Sequence, residues 1–194
     1  YEIDASTGQT QSIGNTRILD GGGLALVDHV SKGKLYFSSG NTEGLYTLNR
    51  TTGNATRILT TDPNFQWRGL APSESSSFIY SSSFIYGGNW HLSRINADGS
   101  VANPIGDGYP LDYEGLAYDG SKNILYGTKQ SYFYSINPNT GRPISNLSSP
   151  FGSLYGLTFG NEGVYGLGNT QDLMFYNPNT CLLYTSPSPR DRSL

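Results

Sequence analysis

Four triads in this 194-residue sequence gather side chains suited to gripping a ligand: Asp20-Gly21-Gly22, Gln66-Trp67-Arg68, Asp112-Tyr113-Glu114 and Ser153-Leu154-Tyr155. Each stands immediately before a Gly-Leu pair, so a repeat that stacks those pairs brings the triads to one end of the molecule. A guanidinium and carboxylates supply charge-assisted hydrogen bonds, while an indole and phenols supply apolar faces with polar tips. Trp67, Arg68, Asp112, Glu114 and Tyr155 are therefore the predicted ligand-binding rim. The same residues also admit a purely structural role. Arg68 and Glu114, on adjacent repeats, could pair as a half-exposed salt bridge while Trp67 and Tyr155 cover the edge of the core.

No catalytic residue is predicted. His29 and His91 are the only histidines and fall in different repeats, and there is no G-x-S-x-G elbow, HExxH helix or Cys–His pair. Asn96-Ala97-Asp98-Gly99-Ser100 superficially resembles a calcium loop but lacks the alternating ligands and distal Glu, so it reads as a hairpin turn. The lone Cys181 cannot form an internal disulfide and does not report a redox compartment. Asn49, Asn54 and Asn146 head N-x-[ST] sequons, which chance can also produce in a chain rich in Asn and Thr.

With 12 basic and 15 acidic residues, a net charge of −3 and no basic block, the chain has no electrostatic footprint for nucleic acid or an anionic membrane surface. No run approaches the length of a membrane-spanning helix. Aromatics reach 13%, charged residues only 14%, and 25 glycines and 10 prolines punctuate the sequence. That composition suits short strands and dense turns, and no element opens as a phosphate-cradling helix.

The elements that must position the rim are repeats. Gly-Leu-Ala or Gly-Leu-Thr recurs at Gly23–Ala25, Gly69–Ala71, Gly115–Ala117 and Gly156–Thr158, at spacings of 46, 46 and 41 residues. About ten residues on comes an aliphatic-Tyr pair: Leu35-Tyr36, Ile79-Tyr80, Leu125-Tyr126 and Val164-Tyr165. Further on, Asn or Asp leads into a Gly turn at Asp4 to Gly8, Asn49 to Gly53, Asn96 to Gly99 and Asn137 to Gly141. The clearest repeat predicts strands over Gly115–Asp119, Asn123–Thr128, Tyr132–Asn137 and Arg142–Leu147, an antiparallel meander.

One such sheet cannot bury both faces, and sheets stacked radially at this period make a β-propeller, which neither a sandwich nor a β-helix requires. The expected fold is an all-β propeller fragment of four-stranded antiparallel blades. Residues 1–180 would hold three complete repeats, about 23–68, 69–114 and 115–155, with partial ones at 1–22 and 156–180.

The stretch DYEGLAYDG, Asp112 to Gly120, resembles the D-x-E-G-[LI]-A-x-D element of secreted propellers of the phytase-like esterase and SdiA-regulated families. More loosely, LYFSSGNTEGLYTLNRTTGN and LYGTKQSYFYSINPNTGR look like six-bladed repeats of the NHL, gluconolactonase and low-density-lipoprotein-receptor types. The receptor's YWTD is replaced by LYFS, IYSS, LYGT and VYGL, a departure from receptor-type binding. The phytase-like resemblance implies Asp112 and Glu114 as oxygen ligands for Ca²⁺, with the remaining ligands supplied from elsewhere. The leading expectation is an extracellular or periplasmic, non-enzymatic module without a cofactor, binding a protein, glycan or small-molecule ligand at the channel mouth. A cation-dependent hydrolase of lactonase or phytase-like type and a structural repeat of a larger surface protein are the alternatives.

The hairpin Phe175–Thr180 repeats Asn137–Thr140 and calls for glycine next, where Cys181 stands. The run CLLYTSPSPRD, Cys181 to Asp191, looks like a translated transposase-type sequencing adaptor, so 181–194 is expected to lie outside the repeat domain. SSSFIY at Ser75–Tyr80 recurs at Ser81–Tyr86, either as a duplication artefact or as a strand extension, since six residues leave every side chain on its original face.

Overall fold

Each Gly-Leu triplet heads a meander of four short antiparallel strands. The first sheet is β3 (Gly21–Val27), β4 (Lys34–Ser39), β5 (Gly44–Leu48) and β6 (Ala55–Leu59); the second is β7 (Phe65–Pro72), β8 (Phe78–Ile85), β9 (Trp90–Asn96) and β10 (Val101–Ile105). The third is β11 (Gly115–Asp119), β12 (Ile124–Lys129), β13 (Tyr132–Ile136) and β14 (Pro143–Ser148), within a residue or two of the strands predicted for that repeat. The fourth is β15 (Leu154–Phe159), β16 (Val164–Gly168), β17 (Leu173–Asn177) and β18 (Leu182–Thr185). A two-stranded sheet, β1 (Glu2–Ile3) with β2 (Thr10–Gln11), precedes them.

The structure, a computed structural model, describes residues 2–4, 9–18, 21–27, 33–39, 44–59, 65–73, 78–85, 89–96, 98, 100–106, 112–148, 153–160, 163–168 and 173–185. Asp20, His29, Ser75–Ser77, Tyr86 and residues 186–194 lie outside them. Among the described residues there is no helix.

Four antiparallel four-stranded sheets stand side by side as the blades of a β-propeller, their inner strands β3, β7, β11 and β15 adjacent in chain order. The core lies between the blades. One apolar cluster joins Ala25, Val27, Tyr36 and Leu45 of the first blade to Trp67, Leu70, Ile79 and Ile95 of the second. Another joins Ala71, Tyr80 and Leu92 to Leu116, Leu125 and Ile136, and a third joins Ala117, Tyr126 and Phe133 to Val164, Met174 and Tyr176. The triplet leucine packs back on the preceding blade and the alanine faces the next, which is why both residue types recur. Each large side chain buried this way contributes about 1.5–3 kcal/mol, so stacking, rather than any single sheet, carries the stability.

The expected count of three complete repeats and two partial ones is corrected at the C-terminal end, where the fourth sheet is also complete. Its outer strand, Leu182–Thr185, comes from the segment expected to fall outside the repeat and pairs with Leu173–Asn177. The turn forms because Asn177 Oδ1 accepts the Asn179 and Thr180 amides, as Asn49 and Asn137 do in their own turns. Cys181 then adopts φ 57°, the left-handed conformation that Gly53 (72°) and Gly141 (69°) take at the same place. In the second blade the six-residue repeat is accommodated as strand extension. β8 runs unbroken through Ser81–Ile85, with Ser83 opposite Trp67 and His91.

Candidate functional site

A β-bulge carries Arg68 and Tyr155 to the channel mouth, whereas the third inner strand, which follows Asp112 and Glu114, pairs without one. In β7 the register jumps between Trp67 and Leu70, so Arg68 and Gly69 together face a single residue of β8. Similar jumps fall between Gly21 and Gly23 and between Leu154 and Gly156, leaving Gly22 and Tyr155 as the extra residues. Bulges bend a strand and re-aim a side chain, and here they do so at one end of every inner strand where they occur. The second-blade bulge is pinned at its carbonyl. Ser38 Oγ from the first blade and Ser81 Oγ from its own blade both donate to Arg68 O, each at 3.3 Å.

Alternation along the entering segment separates the predicted rim into two layers. Trp67 and Tyr113, one residue before Arg68 and Glu114, are buried between blades. Trp67 therefore supports the mouth from beneath and has no surface for a ligand, in line with the core-covering role its position also admitted. Arg68, Asp112, Glu114 and Tyr155 remain at the mouth, with Tyr155 55% exposed.

The ion pair there is not the Arg68–Glu114 pair that the spacing suggested. Arg68 Nη1 donates to Asp112 Oδ2 at 2.9 Å, and its guanidinium lies over the Trp90 ring, 5.1 Å from the centroid. Glu114 instead accepts from the backbone amide of Gln130, in the tight β12–β13 turn where Gln130 takes φ 52°. One oxygen of each carboxylate, Asp112 Oδ1 and Glu114 Oε2, is buried without a hydrogen-bond partner among the described residues. Burial pushes Asp112 above the ordinary aspartate value, against the pull of Arg68 and Lys129. Glu114 is raised too, first by burial and then by the neighbouring Asp112 charge.

Of these groups Glu114 and Tyr155 line an open-sided, mostly apolar cavity of about 450 Å³, together with Gly22, Leu24 and Leu157 among others. Trp90, Lys129 and Gln130 take part without standing before any triplet. The signal that could have found them is their place at strand ends on the same side of the sheet as Arg68 and Glu114. His91 lies on β9, and no cluster of three or more His, Cys, Asp or Glu residues that could hold a metal occurs among the described residues. Asp98 is spent on Ser100, whose amide and hydroxyl it accepts at 2.9 and 2.6 Å, so that loop is a closed hairpin turn.

The chain is similar in structure to several solved proteins. A chain in the crystal structure of the mitotic checkpoint complex aligns over 97% of this chain and 60% of its own length, at 12% identity and TM-score 0.59. Myxococcus xanthus glutaminyl cyclase aligns over 82% and 66%, at 16% identity and TM-score 0.64. Saccharomyces cerevisiae Sqt1 aligns over 82% and 46%, at 13% identity and TM-score 0.57. This chain thus spans less than two thirds of the length of each of these structures. No protein-family model and no curated protein sequence matches it. At such identities the likeness establishes the fold class alone, a β-propeller.

Proposed function

We propose that this propeller is a non-enzymatic, extracytoplasmic binding module that recognises a neutral glycan at the channel mouth. The observation that carries the reading is the pair of buried, unpartnered carboxylate oxygens, Asp112 Oδ1 and Glu114 Oε2, beside an oriented guanidinium. Buried acceptors without donors cost stability, so a turn of either carboxyl that brings its unpartnered oxygen to a ligand's hydroxyl donor recovers that cost. Arg68 and Lys129 balance the two carboxylates, which favours a neutral donor-rich ligand over a cation. Tyr155, exposed at the mouth, offers the aromatic surface on which a sugar face rests. Exposed Asn49 and Asn146, both in sequons, accord with a glycosylating, extracytoplasmic setting.

The test is a glycan microarray probed with the whole chain and with Asp112→Asn and Glu114→Gln. Discrete neutral glycans should be retained by the wild type and lost or weakened roughly tenfold or more in both variants, the effect of removing a charged hydrogen-bond acceptor. Binding that both variants retain sinks the reading.

The same unpartnered oxygens also carry the second reading, a cation-dependent hydrolase of the lactonase or phytase-like sort. Ca²⁺ takes six to eight oxygens, and a site whose acidic donors are two carboxylates, one bonded to Arg68, does not complete that shell. A rise in thermal midpoint on Ca²⁺ titration, abolished by Glu114→Ala, would favour the hydrolase over the glycan module.

A further inference from the structure

The six-residue repeat of the second blade places Phe78 of its first copy and Phe84 of its second on one face of β8, because six is even. The same face carries Tyr80 into the apolar cluster shared with the third blade. Each phenylalanine belongs to an aromatic pair with an arginine laid against it. Phe78 and Tyr80 stand 5.0 Å apart by ring centroid, and the Arg94 guanidinium lies 4.8 Å from the Phe78 ring. Phe84 and Trp90 stand 5.2 Å apart, and the Arg68 guanidinium lies 5.1 Å from the Trp90 ring. Both arginines then reach the third blade. Arg94 Nη2 donates to Asn139 Oδ1 at 3.4 Å, and Arg68 Nη1 to Asp112 Oδ2 at 2.9 Å. The two copies thus build the same device at opposite ends of one sheet.

The second copy also lengthens the hairpin at the mouth. In the third blade β12–β13 pairing ends three residues after the recurring Tyr126, at Lys129 opposite Tyr132. In the second blade β8–β9 pairing runs four residues past Tyr80, to Phe84 opposite Trp90, and β7 follows it with Gln66 opposite Phe84. The second blade therefore rises one pair above the third, and that extra pair carries the ring under Arg68.

Arg68 needs such a support. It sits in a bulge, outside the regular ladder, so the pleat alone does not aim its side chain. Its ion pair with Asp112 is half-exposed, and pairs of that kind hold a long side chain loosely by themselves. An aromatic face beneath the guanidinium supplies the second constraint.

We propose that Trp90, backed by Phe84, is the positioning residue of the channel mouth: it holds the Arg68 guanidinium over its ring and toward Asp112, so that the ligand meets both in one fixed arrangement. The second SSSFIY copy supplies the extra pair that makes this possible. Trp90 acts through Arg68 and not on the ligand. Its part in recognition rests on the glycan reading, whereas the clamp itself is testable without a ligand.

A double-mutant cycle of Trp90→Leu, Arg68→Ala and the two together, in the whole chain, tests the proposal with two readouts. In ligand-free thermal unfolding, the midpoint loss of the double variant should fall short of the sum of the single losses. In isothermal titration with the oligosaccharide best retained on the microarray, Trp90→Leu should raise the dissociation constant roughly three- to tenfold. Once Arg68 is alanine, the same change should add less than about twofold. Trp90→Phe keeps a ring face in the same hairpin and should bind within about twofold of wild type, which separates loss of the platform from loss of the fold. Additive midpoint losses overturn the clamp, whatever the glycans do. Coupled midpoints with glycan affinity unchanged in Trp90→Leu overturn the positioning role. A wild type that binds no glycan sinks the glycan reading and that role together, while coupled midpoints still uphold the clamp.

Discussion

Replacing Gly23 by alanine should destabilise the propeller although it adds only one methyl group. The new Cβ would sit 2.7 Å from Leu70 N and 3.1 Å from Gly69 Cα, both backbone atoms of the adjoining inner strand, so no flexible side chain can yield. Overpacking of this kind costs about 1–3 kcal/mol. The smaller entropy of an unfolded alanine returns roughly 0.4–1 kcal/mol, leaving a net loss of about 1–2 kcal/mol. For a chain of this size that lowers the thermal midpoint by about 3–6 °C. Thermal unfolding followed by circular dichroism reads the shift, with Gly156→Ala as the matched control. At Gly156 the Cβ enters open space, so the free chain should keep or slightly raise its midpoint. Equal loss in the two variants would refute the claim that glycine marks the contact between blades.

Three further outcomes follow from the same geometry. Cys181→Gly should stabilise by about 0.5–1 kcal/mol in urea unfolding: relief of the left-handed conformation is worth about 1–2 kcal/mol, less the bond the thiol makes with Tyr176. Asp112 and Glu114 have folded pKa values above their unfolded ones, so their contribution is full at low pH and is lost as pH rises through those raised values. Glu114→Gln should accordingly raise the midpoint at neutral pH and flatten its fall between the ordinary carboxylate range and neutrality, as thermal scans across pH would show. Ser38→Ala and Ser81→Ala together remove both hydroxyls from the Arg68 carbonyl, and should cost about 1–3 kcal/mol in urea unfolding and weaken glycan retention on the microarray.

The blades were legible because their signals are local. Asn137 and Gly141 specify a turn, and Tyr132 to Ile136 alternate with the pleat, so strands and hairpins follow from neighbours in sequence. The triplet spacing then showed that such sheets must stack. The rim was legible as a place but not as an arrangement. The bulge at Arg68 depends on hydroxyls from two blades, and no short-range pattern states that Arg68 will choose Asp112 while Glu114 takes the Gln130 amide. Trp67 was assigned to the rim by its place just before the Gly-Leu triplet, whereas the pleat turns it inward. The fourth outer strand was missed because Cys181 replaced the expected glycine, although Asn177 alone holds that turn well enough for Leu182–Thr185 to pair.

The central claim is that the channel mouth binds a donor-rich neutral ligand through its two unpartnered carboxylate oxygens. Isothermal titration of the oligosaccharide best retained on the microarray, into wild type and into the Asp112→Asn, Glu114→Gln double variant, tests it most directly. A saturable exothermic isotherm in the wild type, weakened roughly a hundredfold or more in the double variant, is the predicted result. Superimposable isotherms for the two proteins would contradict it.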